Sequence, residues 1–291
     1  MRVFVVLSWL LALVAQPAWA YPQAAGFQTL EQQLGAMAAS APGEYGIAAV
    51  DLSTGSMVSF NGSTPFPMAS TMKVAVAAAY LSQVDHGRRS LSDTIAGRTA
   101  AELIELMLTR SDNPATDILI ENLGGPKAVD EWLRWHGMTD IRVDRTIAQL
   151  LRDRRDLKDP RDSATPIAMV TLLSRIDRGD MLKPESRDYL LQTMGRCITG
   201  KNRIRGLLPP GTRVEHKTGT LAGLSGDVGI ITLADGRRIA VAIFGRGGTN
   251  RAQTIAATAR AIYDGFGAQT QPVLAAAPVE AAIGTPTLSA P

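Results

Sequence analysis

The sequence predicts an α+β fold in which a five-stranded antiparallel sheet, flanked by helices, stands beside a mainly helical lobe. Three observations lead to it. Period-two alternation broken by turn signals occurs near the two ends of the chain, over Glu44–Phe60 and again over Arg213–Phe244. Between them, apolar residues recur at helical spacing. Strands from both ends must therefore meet in one sheet, and the middle, about residues 70–205, forms the second lobe.

Taken in order, the chain opens MRVFVVLSWLLALVAQPAWA, with one basic residue, an apolar run from Val3 to Val14, and then Ala18-Trp19-Ala20. That small-x-small ending marks residues 1–20 as an export signal cleaved after Ala20. A membrane anchor needs about 20 apolar residues, and Gln16 and Pro17 interrupt the run first. A helix is expected over Leu30–Ala39. Glu44–Phe60, EYGIAAVDLSTGSMVSF, reads as two antiparallel strands turning at Thr54-Gly55. Helices follow at Ser70–Val84, Ala100–Thr109, Pro114–Leu123, Lys127–Trp135, Pro166–Ile176 and Glu185–Met194. Arg145–Thr165 has little periodicity and many charges, and its length suits a functional loop. Arg213–Thr218 is a strand, Val228–Ala234 and Arg237–Phe244 flank the hairpin signal Asp235-Gly236, and a helix over Arg251–Phe266 closes a domain of residues 21–267. Residues 268–291 are Ala/Pro-rich with Glu280 as their one charged residue, the composition of a disordered tail.

The 291 residues carry a formal net charge of +3, and removal of the signal takes Arg2 with it. So balanced a charge predicts no nucleic-acid partner and, after cleavage, no membrane partner; a monomer acting on a small molecule is expected. Cys197 is the single cysteine, which excludes an intramolecular disulfide and suits a small buried hydrophobe. His86, His136 and His216 are the only histidines, and no H-E-x-x-H or Cys/His cluster occurs, so no metal site and no cofactor is expected. The absence of G-x-S-x-G argues against an α/β-hydrolase triad.

Three short motifs carry chemistry. In ASTMK, Ser70 and Lys73 stand three apart, so that on a helix the amine shares a face with the hydroxyl and, when neutral, can take its proton. Alone the pair is weak, because about one Ser-x-x-Lys arises by chance in a chain of this length. Ser111-Asp112-Asn113, just before the helix at Pro114, and Lys217-Thr218-Gly219, on a predicted strand, are each expected by chance in fewer than about one such chain in ten. Their order matches the Ser-x-x-Lys, SDN, KTG set of penicillin-recognising serine enzymes.

With these motifs the chain resembles the class A serine beta-lactamases. The resemblance runs from about Leu30 to Phe266, through FPMASTMKVAVAAAYLSQVD, AELIELMLTRSDNPATDILIENLGG, RDSATPIAMV and HKTGTLAGLSGDVGIITLADGRRIAVAIF. It implies a beta-lactamase/transpeptidase-like fold with Ser70 as nucleophile at a helix start, its own N–H and that of Thr220 forming the oxyanion hole. Lys73 is implied as base, its pKa lowered by burial and by Lys217. Ser111 would pass a proton to the leaving nitrogen, and Asn113 would hold the substrate amide and touch Lys73. Lys217, Thr218 and Gly219 would bind the substrate carboxylate, assisted by Arg203, whose alternative reading is a solvated helix charge. His216, next to Lys217 on a strand, points to the opposite face and is structural.

Two departures stand out. The family usually has a glutamate after DRT and an asparagine four positions later, whereas this chain reads DRTIAQLL, with Ile147 and Leu151 at those places. Arg145 and Asp162 still match the loop's ion pair, and Asp153 or Asp156 could bend inward, although solvated loop charges are the simpler expectation. The second departure is a shortening between Leu91 and Thr99, which opens one wall of the cleft. The expectation is a periplasmic or secreted beta-lactam hydrolase that acylates at Ser70 and deacylates slowly. Two alternatives remain: a D-Ala-D-Ala peptidase, transpeptidase-like or esterase enzyme, and a penicillin-binding sensor that stays acylated.

Overall fold

The computed structural model describes residues 27–268 apart from position 155; the expected export signal and C-terminal tail lie outside these. Strands β1 (Glu44–Asp51) and β2 (Met57–Phe60) form the predicted hairpin. The short β3 (Phe66–Pro67), β4 (Thr94–Ile95), β5 (Arg98–Thr99) and β6 (Ser163–Ala164) lie outside the main sheet. β7 (Val214–Leu221), β8 (Leu224–Thr232) and β9 (Arg238–Arg246) complete it in the order β2-β1-β9-β8-β7, antiparallel throughout. The strands from the two ends of the chain join where β1 pairs with β9.

The sheet's two faces follow from the period of two. In β1, Ile47 and Ala49 face one core and Ala48 and Val50 the other. In β9, Ile239, Val241 and Ile243 alternate in the same way with Ala240, Ala242 and Phe244. The first face is covered by α1 (Gln28–Ser40) and α9 (Arg251–Gly267), which bring Leu30, Leu34, Ile255, Ile262 and Phe266. The second carries α7 (Pro166–Arg178) and leads into the helical lobe of α2 (Lys73–Asp85), α3 (Ala100–Thr109), α4 (Asn113–Leu123), α5 (Pro126–Trp135), the one-and-a-half-turn α6 (Ile147–Arg152) and α8 (Pro184–Gly195). Every residue of α2 from Lys73 to Ser82 is buried, the signature of a helix packed on all sides. Each fully buried Val, Leu or Ile there contributes roughly 1.5–3 kcal/mol.

Local sequence fixes the ends of the helices that carry the motifs. Asp112 caps α4 by accepting from Ala115 N–H at 2.7 Å, Pro114 occupies the first turn, and Gly124 ends the helix at φ 109°. Thr99 and Glu102 form a reciprocal capping box on α3. The expected helix at Ser70–Val84 begins differently: Ala69–Met72 is a 3₁₀ turn, and the α-helix starts at Lys73. β7 runs on to Leu221 and β8 starts early, at Leu224, so that the two meet at a two-residue turn, because Gly219 and Gly226 stay within the ladder; β8 ends at Thr232, short of the expected Ala234.

His216 is structural as expected, with Nδ1 2.9 Å from Asp227 Oδ1 and both side chains fully buried. Asp227 Oδ2 also accepts from Ile204 N–H at 3.1 Å. Asp227→Ala should therefore strand a buried ring nitrogen and a backbone donor and lower stability by about 1–3 kcal/mol; urea titration of the variant measures it, and a loss under 0.5 kcal/mol would show that His216 needs no anchor.

Candidate active site

The three motifs converge on one place, held by two buried amines. Lys73, from the start of α2, has no solvent exposure. Its Nζ donates to Ser111 O and Asn113 Oδ1 at 2.8 Å each and approaches Ser111 Oγ at 3.2 Å and Asp112 O at 3.4 Å. Lys217, from the edge strand β7 and equally buried, donates to the same Ser111 Oγ at 2.9 Å and to Thr218 O at 2.9 Å. The Ser111 hydroxyl thus stands between two lysine nitrogens from different lobes. Burial and then the neighbouring Lys217 charge pull the Lys73 pKa down to about 7, against the opposing pull of Asp112 and Asp117. Burial likewise takes Lys217 down to about 8.

Ser70 is half-buried in the 3₁₀ turn ahead of α2. Among the described residues its hydroxyl makes no hydrogen bond, so the direct contact with Lys73 that the three-residue spacing allows is not formed. The physical reason is competition: an ammonium has three donors, and Ser111 and Asn113 occupy them. Two residues beside this centre adopt left-handed backbone, Ala69 at φ 48° and Ser111 at φ 59°. Conformations of this kind cost on the order of 1–3 kcal/mol for a residue with a side chain and persist where the surroundings impose them.

Gly219 sets the approach of β7 to the turn that carries Ser70. A Cβ there would lie 2.4 Å from Met68 O, with Thr71 Cγ2 at 3.0 Å, so only glycine lets the edge strand pass so close to Ser70. Thr220 follows it on that edge. Thr218 Oγ1 is bonded to Thr199 Oγ1 at 2.6 Å, which in turn meets the buried Cys197 Sγ at 3.3 Å. Arg203 is not a solvated helix charge. It precedes the 3₁₀ turn Ile204–Leu207, and its Nη1 donates to Gly219 O at 2.8 Å and Gly226 O at 2.9 Å, while Nη2 reaches Thr220 Oγ1 at 2.6 Å. Its guanidinium fixes the geometry of the strand that carries Thr220.

The loop after Asp144 is held by the pair read from the sequence. Arg145 Nε meets Asp162 Oδ2 at 2.6 Å, both side chains nearly without exposure, and Asp162 Oδ1 also takes the N–H groups of Asp144 and Arg145. Burial lifts the Asp162 carboxyl above its ordinary value in spite of Arg145. Asp162 O accepts from Met68 N–H at 2.8 Å, and β3 pairs with β6, so the loop's base is tied to the segment leading into Ser70. Asp153 does not turn inward: it binds Arg145 at 2.7 Å and Arg161 at 3.3 Å. Asp156 is exposed and accepts from Lys158 N–H. Ile147 is buried at 3% exposure, and Leu151 is half exposed.

Sequence reasoning missed two features here. The first is α6 inside the loop, although Thr146-Ile-Ala-Gln149 is a capping box and both of its reciprocal bonds form. The second is Asp117, whose carboxylate takes the N–H groups of Ile147 at 2.6 Å and Ala148 at 2.9 Å. It lies four residues after Asn113, on the same face of α4, and pins the loop helix to the helix that carries Asn113. No group of three His, Cys, Asp or Glu side chains among the described residues is arranged to hold a metal ion.

Residues 29–266 match the profile of the beta-lactamase enzyme family. Beta-lactamase VEB-1 of Pseudomonas aeruginosa is 30% identical over 68% of this chain and 76% of its own. The carbapenem-hydrolyzing beta-lactamase KPC of Klebsiella oxytoca is 29% identical over 91% of this chain and 96% of its own. Among solved structures, an ancestral class A beta-lactamase superposes with a TM-score of 0.77 at 33% identity, covering 81% of this chain and 99% of that one.

Gly219→Ala should push β7 away from the Ser70 turn, since backbone, not a flexible side chain, blocks the new methyl. Thermal unfolding should report a loss of about 1–3 kcal/mol, typical of overpacking, and a crystal structure of the variant should show β7 displaced at residue 219. A variant as stable as the parent with β7 in place would remove steric contact as the reason for glycine.

Proposed function

The chain belongs to the beta-lactamase enzyme family, in its class A serine branch, and from that membership we propose that it opens beta-lactam rings through an acyl-enzyme on Ser70 that water removes slowly. The observation that carries this reading is the Ser111 hydroxyl held between Lys73 and Lys217. A substrate carboxylate binds Lys217 and Thr218 beside Gly219, with Arg203 Nη2 at Thr220 as a further donor. Asn113 holds the substrate amide. With a pKa of about 7, Lys73 is substantially neutral near neutral pH, and its lone pair accepts the Ser70 proton as Oγ attacks the ring carbonyl. The developing oxyanion lies between the N–H groups of Ser70 and Thr220. When the ring C–N bond breaks, Ser111 gives its proton to the leaving nitrogen and regains one from Lys73.

Deacylation is the weak half. Water must be oriented and deprotonated, and the place after DRT holds the aliphatic, buried Ile147. Two loop carboxylates are engaged elsewhere, Asp153 with Arg145 and Asp162 with Arg145 and two backbone donors. The same observation favours, as a second reading, a protein that stays acylated and acts as a penicillin-binding sensor. The export-signal pattern of residues 1–20 supports a location in the periplasm or outside the cell.

Ser70→Ala should abolish the covalent adduct seen by intact-protein mass, and Lys73→Ala should slow its formation by about 10²–10⁴-fold, the usual value of general-base assistance. The pH profile carries the sign. Lys73 acts neutral, so acylation rises through about pH 7; Lys217 acts charged, so acylation falls above about pH 8. Because the Lys217 charge helps depress Lys73, Lys217→Ala should move the rising limb to higher pH; a limb that stays put would sink the electrostatic coupling of the two amines.

Stopped-flow turnover should show a burst equal to the enzyme concentration and then a slow steady phase, with adduct accumulating. Ile147→Glu with Leu151→Asn should speed adduct loss far more than adduct formation, but only when combined with Asp117→Asn, because the Asp117 carboxylate already lies against the Ile147 N–H and a second charge beside it is unfavourable. Rapid turnover by the parent enzyme without a burst would mean that another group already activates the water.

A further inference from the structure

Asp227 belongs to none of the three motifs, yet it bonds the chain neighbours of both cations assigned to the substrate carboxylate. Its side chain and that of His216 have no solvent exposure. His216 Nδ1 lies 2.9 Å from Asp227 Oδ1 and 3.1 Å from Oδ2, while Nε2 has no hydrogen-bond partner among the described residues. The imidazole is therefore anchored by Asp227 alone among them, and His216 is the residue before Lys217. Asp227 Oδ2 also accepts from the N–H of Ile204 at 3.1 Å, and Ile204 is the residue after Arg203.

The register of the sheet shows how one carboxylate serves both. Asp227 on β8 lies directly across from Thr218 on β7, so the two share a face and Lys217 points to the other. From that other face Lys217 reaches Ser111 Oγ. Asp227 makes no hydrogen bond to Lys217, and His216 is the link between them. Arg203 is gripped by the same stretch of β8, since its Nη1 donates to Gly226 O at 2.9 Å. Gly226 and Asp227, successive on β8, thus hold Arg203 and Ile204, successive at the start of the 3₁₀ turn. Burial lowers the pKa of both Lys217 and Arg203, and in each the Asp227 charge opposes it, as a carboxylate close to two cations must.

We propose that Asp227 is a positioning residue for carboxylate recognition, setting Lys217 through His216 and Arg203 through Ile204 so that both cations meet one substrate carboxylate. The proposal rests on the reading above in which Lys217 and Arg203 bind that group. The two cations come from separate elements, the edge strand β7 and the segment before the 3₁₀ turn. A shared buried anchor fixes the distance between them before substrate arrives, which is where recognition of a single anion gains its geometry.

Its test compares a beta-lactam bearing a free ring carboxylate with the methyl ester of the same compound. Adduct mass against time, read over a range of concentrations, gives the saturation constant and the limiting acylation rate for each. In the parent the acid should acylate faster than the ester. Asp227→Ala should lower the acid's acylation efficiency about 10–100-fold, as a small misplacement of binding groups does, mainly through the saturation constant and with a far smaller effect on the ester. Asp227→Asn keeps an acceptor for Ile204 N–H and a partner for the imidazole, and should retain most of the parent's preference. His216→Ala releases only the Lys217 side and should fall between the two. Equal losses for acid and ester, no loss in Asp227→Ala, or an Asp227→Asn as poor as Asp227→Ala would overturn the positioning role while leaving Ser70 chemistry intact. Where Asp227→Ala lacks a cooperative urea transition, His216→Ala decides: a reduced preference for the acid supports the proposal, and one equal to the parent's overturns it. Acid and ester acylating the parent at equal rates would overturn the carboxylate reading and the proposal with it, whereas no adduct from either would overturn the Ser70 reading itself.

Discussion

An amine at the end of a side chain with no solvent exposure must be matched by protein dipoles or give up its proton. Lys73 is in that position, and the rest of the site is arranged around it. The carbonyl of Ser111 and the amide oxygen of Asn113 are the dipoles that match it, and they can do so because Asp112 starts α4 at that point. Lys217 meets the same serine from the sheet. Two buried cations so close are an unfavourable pair, and the energy is relieved by releasing a proton at a pH where an ordinary lysine would keep it. Lobe packing and proton affinity are thus the same problem solved once, at Ser111.

Much of this was legible in the sequence. The β1–β2 hairpin followed from alternation around Thr54-Gly55, and the β8–β9 hairpin from Asp235-Gly236, because tight turns and period-two burial are local signals. The SDN and KTG tripeptides located Ser111 and Asn113, which bond Lys73, and Lys217, which meets the same Ser111 hydroxyl from the sheet. What was not legible depended on contacts between distant segments. Gly219 and Gly226 fall outside the strands expected from the sequence, yet they are sites where another backbone or ring comes too near for a Cβ. The role of Arg203 as a tie between β7 and β8 needs the register of those strands. Asp117 looked like any polar residue on an amphipathic helix until the loop was folded over it. The α6 helix is different, since its capping box was present in the sequence and only its brevity hid it.

The DRT loop shows how shape and chemistry separate. Arg145 serves Asp162, Asp153 and Asp159 at once, and the loop's base is stitched to the approach to Ser70 by β3 and β6. None of these interactions requires a carboxylate at position 147. The loop therefore keeps its path with an apolar side chain at position 147 that joins the core.

The position of β1 has a consequence for how the chain acquires its structure. It lies between β2 and β9, so Val50 has Met57 as one cross-strand neighbour and Ala240 as the other. The first pairing is available as soon as the hairpin is made, but the second waits until almost the entire domain has emerged. Until then the inner edge of β1 is an open template for any other strand. Folding dominated by so distant a pairing is slow, because loop closure comes before the contacts that reward it. Chains shortened anywhere before β9 keep that edge exposed and are prone to self-association rather than to partial function.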